Sequence, residues 1–270
     1  MAYSGAKYIS KVMNRSGYVV ELPNVDDVKN LIGTYPPDPY AESSTQLFPL
    51  GTRIIQGERE WRYCENASIA LNIAAPLQGA ARAHAEQDDD IVCGAAAAAG
   101  TDEVSVTSTA NLDASPNNTA DTFKEGYLIV NDAAGEGQMY KIRTAPALSG
   151  TDTSVFKLYD KLTIALTTSS QLGLIQNPYK NVIATAAPLT GKFAGIPLLA
   201  ITADYFFWSQ TKGPAPIVAK EVIALGTPVV VGVTAAKANE HNPSSTGEVI
   251  IGESLTPGVT DGESCIVDLW

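Results

Sequence analysis

Chemistry in this chain of 270 residues would be sought first at its two histidines, His84 and His241. His84 stands near Glu86, Asp88, Asp89 and Asp90, a grouping of donor types that could serve a metal ion. The HxxxH or HxH spacing that brings two imidazoles to one metal is missing, and an acidic run beside Ala-rich sequence reads as a solvated turn. No metal site is expected. His241 lies in the polar stretch Asn239-Glu240-His241-Asn242-Pro243-Ser244-Ser245 and is expected to be an exposed loop histidine. A Ser-His-Asp triad is assembled in space, so sequence does not decide it. The GxSxG elbow is absent, however, and Asp204 and Asp268 sit in strand-like contexts without a nucleophile motif beside them. Gly135-Glu136-Gly137 lacks the third glycine and following helix of a dinucleotide loop, and GxxxxGK[ST] does not occur, so no cofactor is expected. Cys64, Cys93 and Cys265 are odd in number, widely spaced and free of CxxC patterns. They read as buried small hydrophobes of a protein folded in a reducing cytosol. Asn66-Ala67-Ser68 and Asn117-Asn118-Thr119 match glycosylation sequons. The start Met1-Ala2-Tyr3-Ser4-Gly5 lacks a charged region followed by an apolar run, so no secretion leader is expected and the sequons read as chance. An enzyme is not expected.

The most distinctive local sequence is aromatic: Tyr205-Phe206-Phe207-Trp208, followed by Ser209-Gln210-Thr211-Lys212-Gly213-Pro214-Ala215-Pro216. Rings at successive positions of a strand project to both faces, which implies burial on both sides, in a two-layer core or against a partner. A sugar-stacking platform is the other use of such a block.

The elements that would position these groups are β-strands. Trp61-Arg62-Tyr63-Cys64-Glu65 alternates large apolar and polar residues, the period of a half-buried strand. Val104–Thr107, Tyr127–Val130 and Met139–Arg143 follow, the last two joined by the turn-forming Asn131 to Gln138 as a hairpin. Further strands are expected at Val155–Leu158, Gly173–Ile175, Val182–Thr185, Ile196–Thr202, Tyr205–Gln210, Val229–Val233, Glu248–Ile251 and Cys265–Leu269. Gly and Pro separate nearly all of them, which predicts an all-β fold, a β-sandwich or partly closed β-barrel. The echo Gly252-Glu253-Ser254-Leu255 and Gly262-Glu263-Ser264-Cys265 reads as two strand ends around a β-turn. Ala80–Glu86 and Asp160–Leu166 are expected to form a helical turn or two. Gly94 through Gly100, with five alanines between, reads as a linker or short helix. It marks the entrance to an inserted β subdomain over residues 95–180, with the main β domain at 51–94 and 181–270. Residues 1–50 are Pro- and Tyr-rich and aperiodic, apart from a short helix expected over Val25–Gly33 with Asn24 as N-cap. They read as an extended N-terminal arm, laid on a neighbour or packed on their own domain.

Composition narrows the partners. Hydrophobic residues make up 45% and charged residues 17%, a globular composition able to bury a core. Lys+Arg number 18 against 29 Asp+Glu, for a net charge of −11. Nucleic acids are held mainly by cations on phosphates, and no basic cluster exists here to supply them, so nucleic-acid binding is not expected. The most apolar stretch, Leu189–Trp208, is broken by Lys192, Asp204, Gly191, Gly195 and Pro197 and is not a membrane span.

Leu50-Gly51-Thr52-Arg53, leading through Trp61-Arg62-Tyr63 to Ala70-Leu71-Asn72-Ile73-Ala74-Ala75-Pro76-Leu77, resembles the "LGT…G…YRY" strand and Ala/Leu-rich segment of small tailed-phage virion proteins. Trp208-Ser209-Gln210-Thr211-Lys212-Gly213-Pro214-Ala215 resembles the same group's "W-x-Q-x-x-GPA" strand and turn, and Val231-Gly232 and Gly247 through Leu269 its closing "VG…G…V…L" pattern. The middle, Gly126–Asp132 to Asn177–Lys180, looks like segments common in marine phage structural genes. The resemblance covers most of residues 50–269 and implies a capsid decoration, or cement, protein. Such a protein sits on the outer face of the shell, binds the major capsid protein, often forms a homotrimer, and is made in the host bacterial cytoplasm. Candidate interface residues are Tyr3, Tyr8, Tyr18, Tyr35, Tyr40 and Phe48 of the arm, with Trp208. A fibre-type module recognising host glycan, and a hydrolase built around His84 and Asp88–Asp90, are the competing expectations.

Overall fold

The computed structural model describes residues 37–258 and 260–270, together with the strands Lys11–Met13 and Val19–Glu21. It is all-β, 41% strand and 1% helix, with a half-barrel sheet and a nearly closed barrel sheet. The chain divides into two compact units: Met1–Ala80 with Pro178–Trp270, and Ala81–Asn177.

In the first unit the strands before the insertion are β1 (Lys11–Met13), β2 (Val19–Glu21), β3 (Glu42–Ser43), β4 (Arg53–Gln56), β5 (Arg59–Glu65) and β6 (Leu77–Gln78). The second unit holds β7 (Ile91–Val92), β8 (Glu103–Thr107), β9 (Tyr127–Asp132), β10 (Met139–Thr144), β11 (Thr153–Leu158) and β12 (Gln171–Ile175). The first unit resumes with β13 (Ile183–Ala184), β14 (Phe193–Pro197), β15 (Phe206–Val218), β16 (Pro228–Thr234), β17 (Lys237–Glu240), β18 (Val249–Ser254) and β19 (Ser264–Leu269).

The first unit's sheet runs β1-β2-β4-β5-β15-β19-β18-β16-β17, with β3, β6, β13 and β14 off this path. The 13-residue β15 is its spine. It pairs with β5 along its first half and with β19 along its second. Pro214 and Pro216 lie inside it, where the sequence suggested a turn. The β5 ladder ends at Lys212↔Glu60, so at Pro214 and Pro216 a missing N–H costs no bond to β5, and the next amide on that alternation, Val218, donates to the Ala74 carbonyl. The two glycine-led copies lie at the end of β18 and the start of β19, which pair antiparallel.

The second unit's sheet runs β7-β12-β9-β10-β11-β8. A bridge between Cys93 and Val106 brings its two ends together, with the Gly94 amide donating to the Ser105 carbonyl. Alternation puts Val104, Val106, Leu128, Val130, Tyr140, Ile142, Phe156, Leu158, Leu172 and Leu174 inside, where Leu112, Phe123 and Leu148 from the loops complete one core. The interior is packed with side chains.

Several expectations are corrected. The insertion begins at Ala81, earlier than residue 95, because β7 pairs with β12 and belongs to the barrel. Asp160–Leu166 forms no helix, and Ala80–Glu86 yields only a 3-10 turn at Ala85–Gln87. The alanine run is held extended at one point, Ala97 bridging Leu166. The strand expected at Ile196–Thr202 lies at Phe193–Pro197. Within the arm, β1 pairs with β2 and β2 with β4, so these two strands extend the sheet. Three-residue strands offer too few alternations to be read from sequence. The helix expected over Val25–Gly33 lies outside the described residues.

Candidate functional site

β5 and β15 pair in register with Trp208 opposite Tyr63, Phe207 opposite Cys64 and Phe206 opposite Glu65. Alternation sends Phe206 and Trp208 to one face and Phe207 to the other. On the first face Trp208 packs with Phe48, Leu50, Ile54, Trp61, Tyr63 and Leu198. On the second Phe207 packs with Cys64, Leu71, Leu77, Val182, Ala194 and Ile201. Both faces of the aromatic block are covered by this chain's own side chains, the two-layer core among the alternatives raised by the sequence.

The first face carries three rings in mutual contact and a fourth stacked on one of them. Ring centroids lie 4.9 Å apart for Tyr63 and Trp208, 5.3 Å for Phe48 and Trp208, and 5.4 Å for Phe48 and Tyr63. Phe206 stacks on Tyr63 at 6.0 Å with planes 11° apart. The Tyr63 hydroxyl accepts a hydrogen bond from the Leu47 amide at 3.0 Å. Burial pushes this phenol up to about 12, against the pull of the Leu47 hydrogen bond.

Beside these rings opens a cleft of about 250 Å³. Phe48, Tyr63, Phe206 and Trp208 form one side, and Pro37, Asp38, Ala41, Glu42 and Ser43 lie around it. Glu42 lies on β3, where it accepts from the amide and hydroxyl of Thr202, each at 2.8 Å. Asp38 accepts from the Tyr40 amide at 2.9 Å. Among the described residues no Lys or Arg lines it. Ser43 pairs with Phe206 and Glu42 with Phe207, so the Glu42 side chain turns to the Phe207 face, away from the cleft's rings.

The Trp208-to-Ala215 motif has a structural explanation. Gln210 is fully buried, and its amide donates to the carbonyls of Lys212 at 3.0 Å and Pro214 at 2.8 Å. Its oxygen accepts from the Arg59 guanidinium at 3.0 Å. These bonds brace the β15 irregularity between Gln210 and Lys212. Gly213 has φ +77°, and a Cβ there would lie 2.6 Å from the Glu58 carbonyl oxygen. Only glycine fits that conformation and that approach.

The sequence's chemical candidates are occupied in shaping loops. The His84 ring accepts from the Glu86 amide at 3.2 Å and caps the 3-10 turn. Glu86 accepts from Thr109 and Asn111, and these hydrogen bonds hold its carboxyl below the usual range. Asp88 pairs with Arg82. His241 meets Glu248 at 2.5 Å across its loop, a partner not foreseen for an exposed histidine. Among the described residues no group of three or more His, Cys, Asp or Glu could hold a metal ion.

Of the candidate interface residues, Tyr3, Tyr8, Tyr18 and Tyr35 lie outside the described residues. Tyr40 is 55% exposed, its hydroxyl within 3.3 Å of the Arg59 guanidinium. Phe48 and Trp208, by contrast, are only 7% and 3% exposed. They are corrected from interface anchors to core residues that wall the cleft, and Trp208 offers no open ring for stacking a sugar. Sequence reasoning missed Asp38, Glu42 and Tyr63 as cleft residues. Tyr63 had a signal in the alternation of its strand; a two-residue strand gives none for Glu42.

No protein-family model matches the chain, and neither a curated protein nor a solved structure matches it.

Proposed function

We propose that this chain is a structural virion protein that decorates and stabilises the outer surface of a bacteriophage capsid by binding the major capsid protein, as a homo-oligomer, a trimer. The observation that carries the proposal is the role of the motifs resembling phage virion proteins. Gln210, Gly213 and Trp208 brace one long strand and its aromatic core, which is framework work suited to a structural protein. The acidic balance of the chain supports a partner other than DNA, since a surface of net charge −11 repels phosphates. The histidines and the acidic run serve as loop caps and pairs, which supports a role without catalysis. Many copies on one shell make binding multivalent, so each contact can be modest.

Quantitative gel analysis of purified particles tests this. Decoration predicts a copy number comparable to that of the major capsid protein, with release of the chain lowering the temperature at which shells open. A few copies per particle, or a location inside with the genome, would overturn it.

A further inference from the structure

We propose that the cleft between β3 and the aromatic face of β15 receives the Trp270 ring of a second copy of this chain, so that copies join head to tail. The proposal deepens the homo-oligomer proposed above, and the trimeric number rests on that reading; the contact itself is argued from its own chemistry.

The knob is Trp270, 67% exposed and the largest exposed hydrophobic side chain among the described residues. The end of β19 holds it in place. Leu269 pairs with Gly213 on one side and Gly252 on the other, and the Trp270 amide donates to the Ile251 carbonyl at 3.2 Å. A ring carried on a paired strand is preorganised and loses little freedom when it docks. Alternation puts the exposed Ile266 on the same face of β19, and the exposed Leu255 donates its amide to the Ile266 carbonyl, so more apolar surface lies near the ring.

The hole is the cleft. Leu47 and Phe206, both partly exposed, stand in front of the packed rings of Phe48, Tyr63 and Trp208, and a volume of about 250 Å³ has room for one indole ring. The exposed Asp38 stands beside this apolar surface. An indole is an apolar body with one N–H donor, which suits an apolar site with one acceptor at its margin. Within one chain the two are apart: Leu269 lies opposite Gly213, which is seven residues along β15 from Phe206. At strand spacing that is roughly 20 Å, beyond the reach of the side chain. A second copy brings them together. Knob and hole are different patches, so the contact is heterologous, and its repetition closes a ring or runs on as a filament. A large aromatic side chain buries about 150–250 Å² of the ~1,200–2,000 Å² in a stable interface, so the ring is an anchor to which Ile266 and Leu255 add area.

The test is analytical ultracentrifugation of the full chain and two variants at exposed positions. Trp270→Ala removes the knob and keeps the hole; Ala41→Phe, at a lining residue, plugs the hole and keeps the knob. Urea unfolding checks that each folds like the wild type, and Ala41→Leu takes the place of Ala41→Phe should the larger ring disturb the fold. Wild type should self-associate, and either variant alone should do so about tenfold or more weakly. Mixed in equal amounts, the two variants should form a one-to-one pair and nothing larger, because one intact knob meets one intact hole. A monomeric wild type, self-association of Trp270→Ala as tight as that of wild type, or no pair in the mixture would overturn the proposal. Copy number in particles judges decoration separately. A chain that self-associates through Trp270 but is scarce on particles leaves the contact standing while decoration fails; a monomeric chain abundant on shells does the reverse.

Discussion

Tyr63 and Trp208 face each other across the β5–β15 ladder, with ring centroids 4.9 Å apart and planes at 58°. The pair ties the cleft to the stability of the sheet, because the rings that wall the cleft also fill the core beneath it. Trp208→Ala should therefore destabilise the protein by about 3–5 kcal/mol, the range for deleting a large buried aromatic. Tyr63→Phe keeps the ring and should cost about 1 kcal/mol, the effect of leaving the Leu47 amide without its acceptor. Urea unfolding of both variants checks the order; similar losses would mean that the hydroxyl, not the ring packing, dominates.

The same tyrosine gives a pH dependence at the alkaline end. Its folded pKa of about 12 lies above the ordinary value of 10.0, because burial penalises the phenolate. The folded state thus holds this proton more tightly than the unfolded state. The associated stability is fully present below pH 10 and is lost as pH rises through about 12, amounting to roughly 2–3 kcal/mol. The comparison that isolates it is wild type against Tyr63→Phe between pH 9 and 12. Wild type should lose its advantage over that interval, and a constant difference would contradict the assignment.

The braced bend in β15 should be intolerant. Gly213→Ala must place a Cβ against the Glu58 carbonyl at φ +77°, and about 2–4 kcal/mol of destabilisation is expected. Gln210→Ala removes the donor shared by the Lys212 and Pro214 carbonyls and should cost about 1–3 kcal/mol. The two are in one local network, so the double variant should cost less than the sum, which thermal or urea denaturation can measure.

The barrel should stand alone. Its core, from Ile91 to Leu174, is drawn entirely from the unit Ala81–Asn177. That segment expressed by itself should give a β-type circular dichroism spectrum and a cooperative unfolding transition. Phe123→Ala within it should lower its stability by about 3–5 kcal/mol. A non-cooperative melt of the excised segment would show that its core depends on residues beyond it.

Much of the fold was legible in the residue order. Alternation in Trp61–Glu65, Val104–Thr107 and Met139–Arg143 marked strands that the structure contains, since a half-buried strand must write its burial with period two. Gly and Pro punctuation gave the all-β class. Successive rings at Phe206, Phe207 and Trp208 announced burial on both faces. What failed were features whose cause is not local. β15 runs on through two prolines because the β5 ladder has already ended there, and a neighbour's endpoint is invisible in the strand's own sequence. The barrel's start at Ala81 depends on a two-residue strand finding β12 across the sheet. Likewise Ser43 comes to lie beside Phe206, and Glu42 beside Phe207, only because β3 pairs with the start of β15. Periodicity records which way a side chain points; only the long-range pairings of the tertiary structure decide which side chains meet.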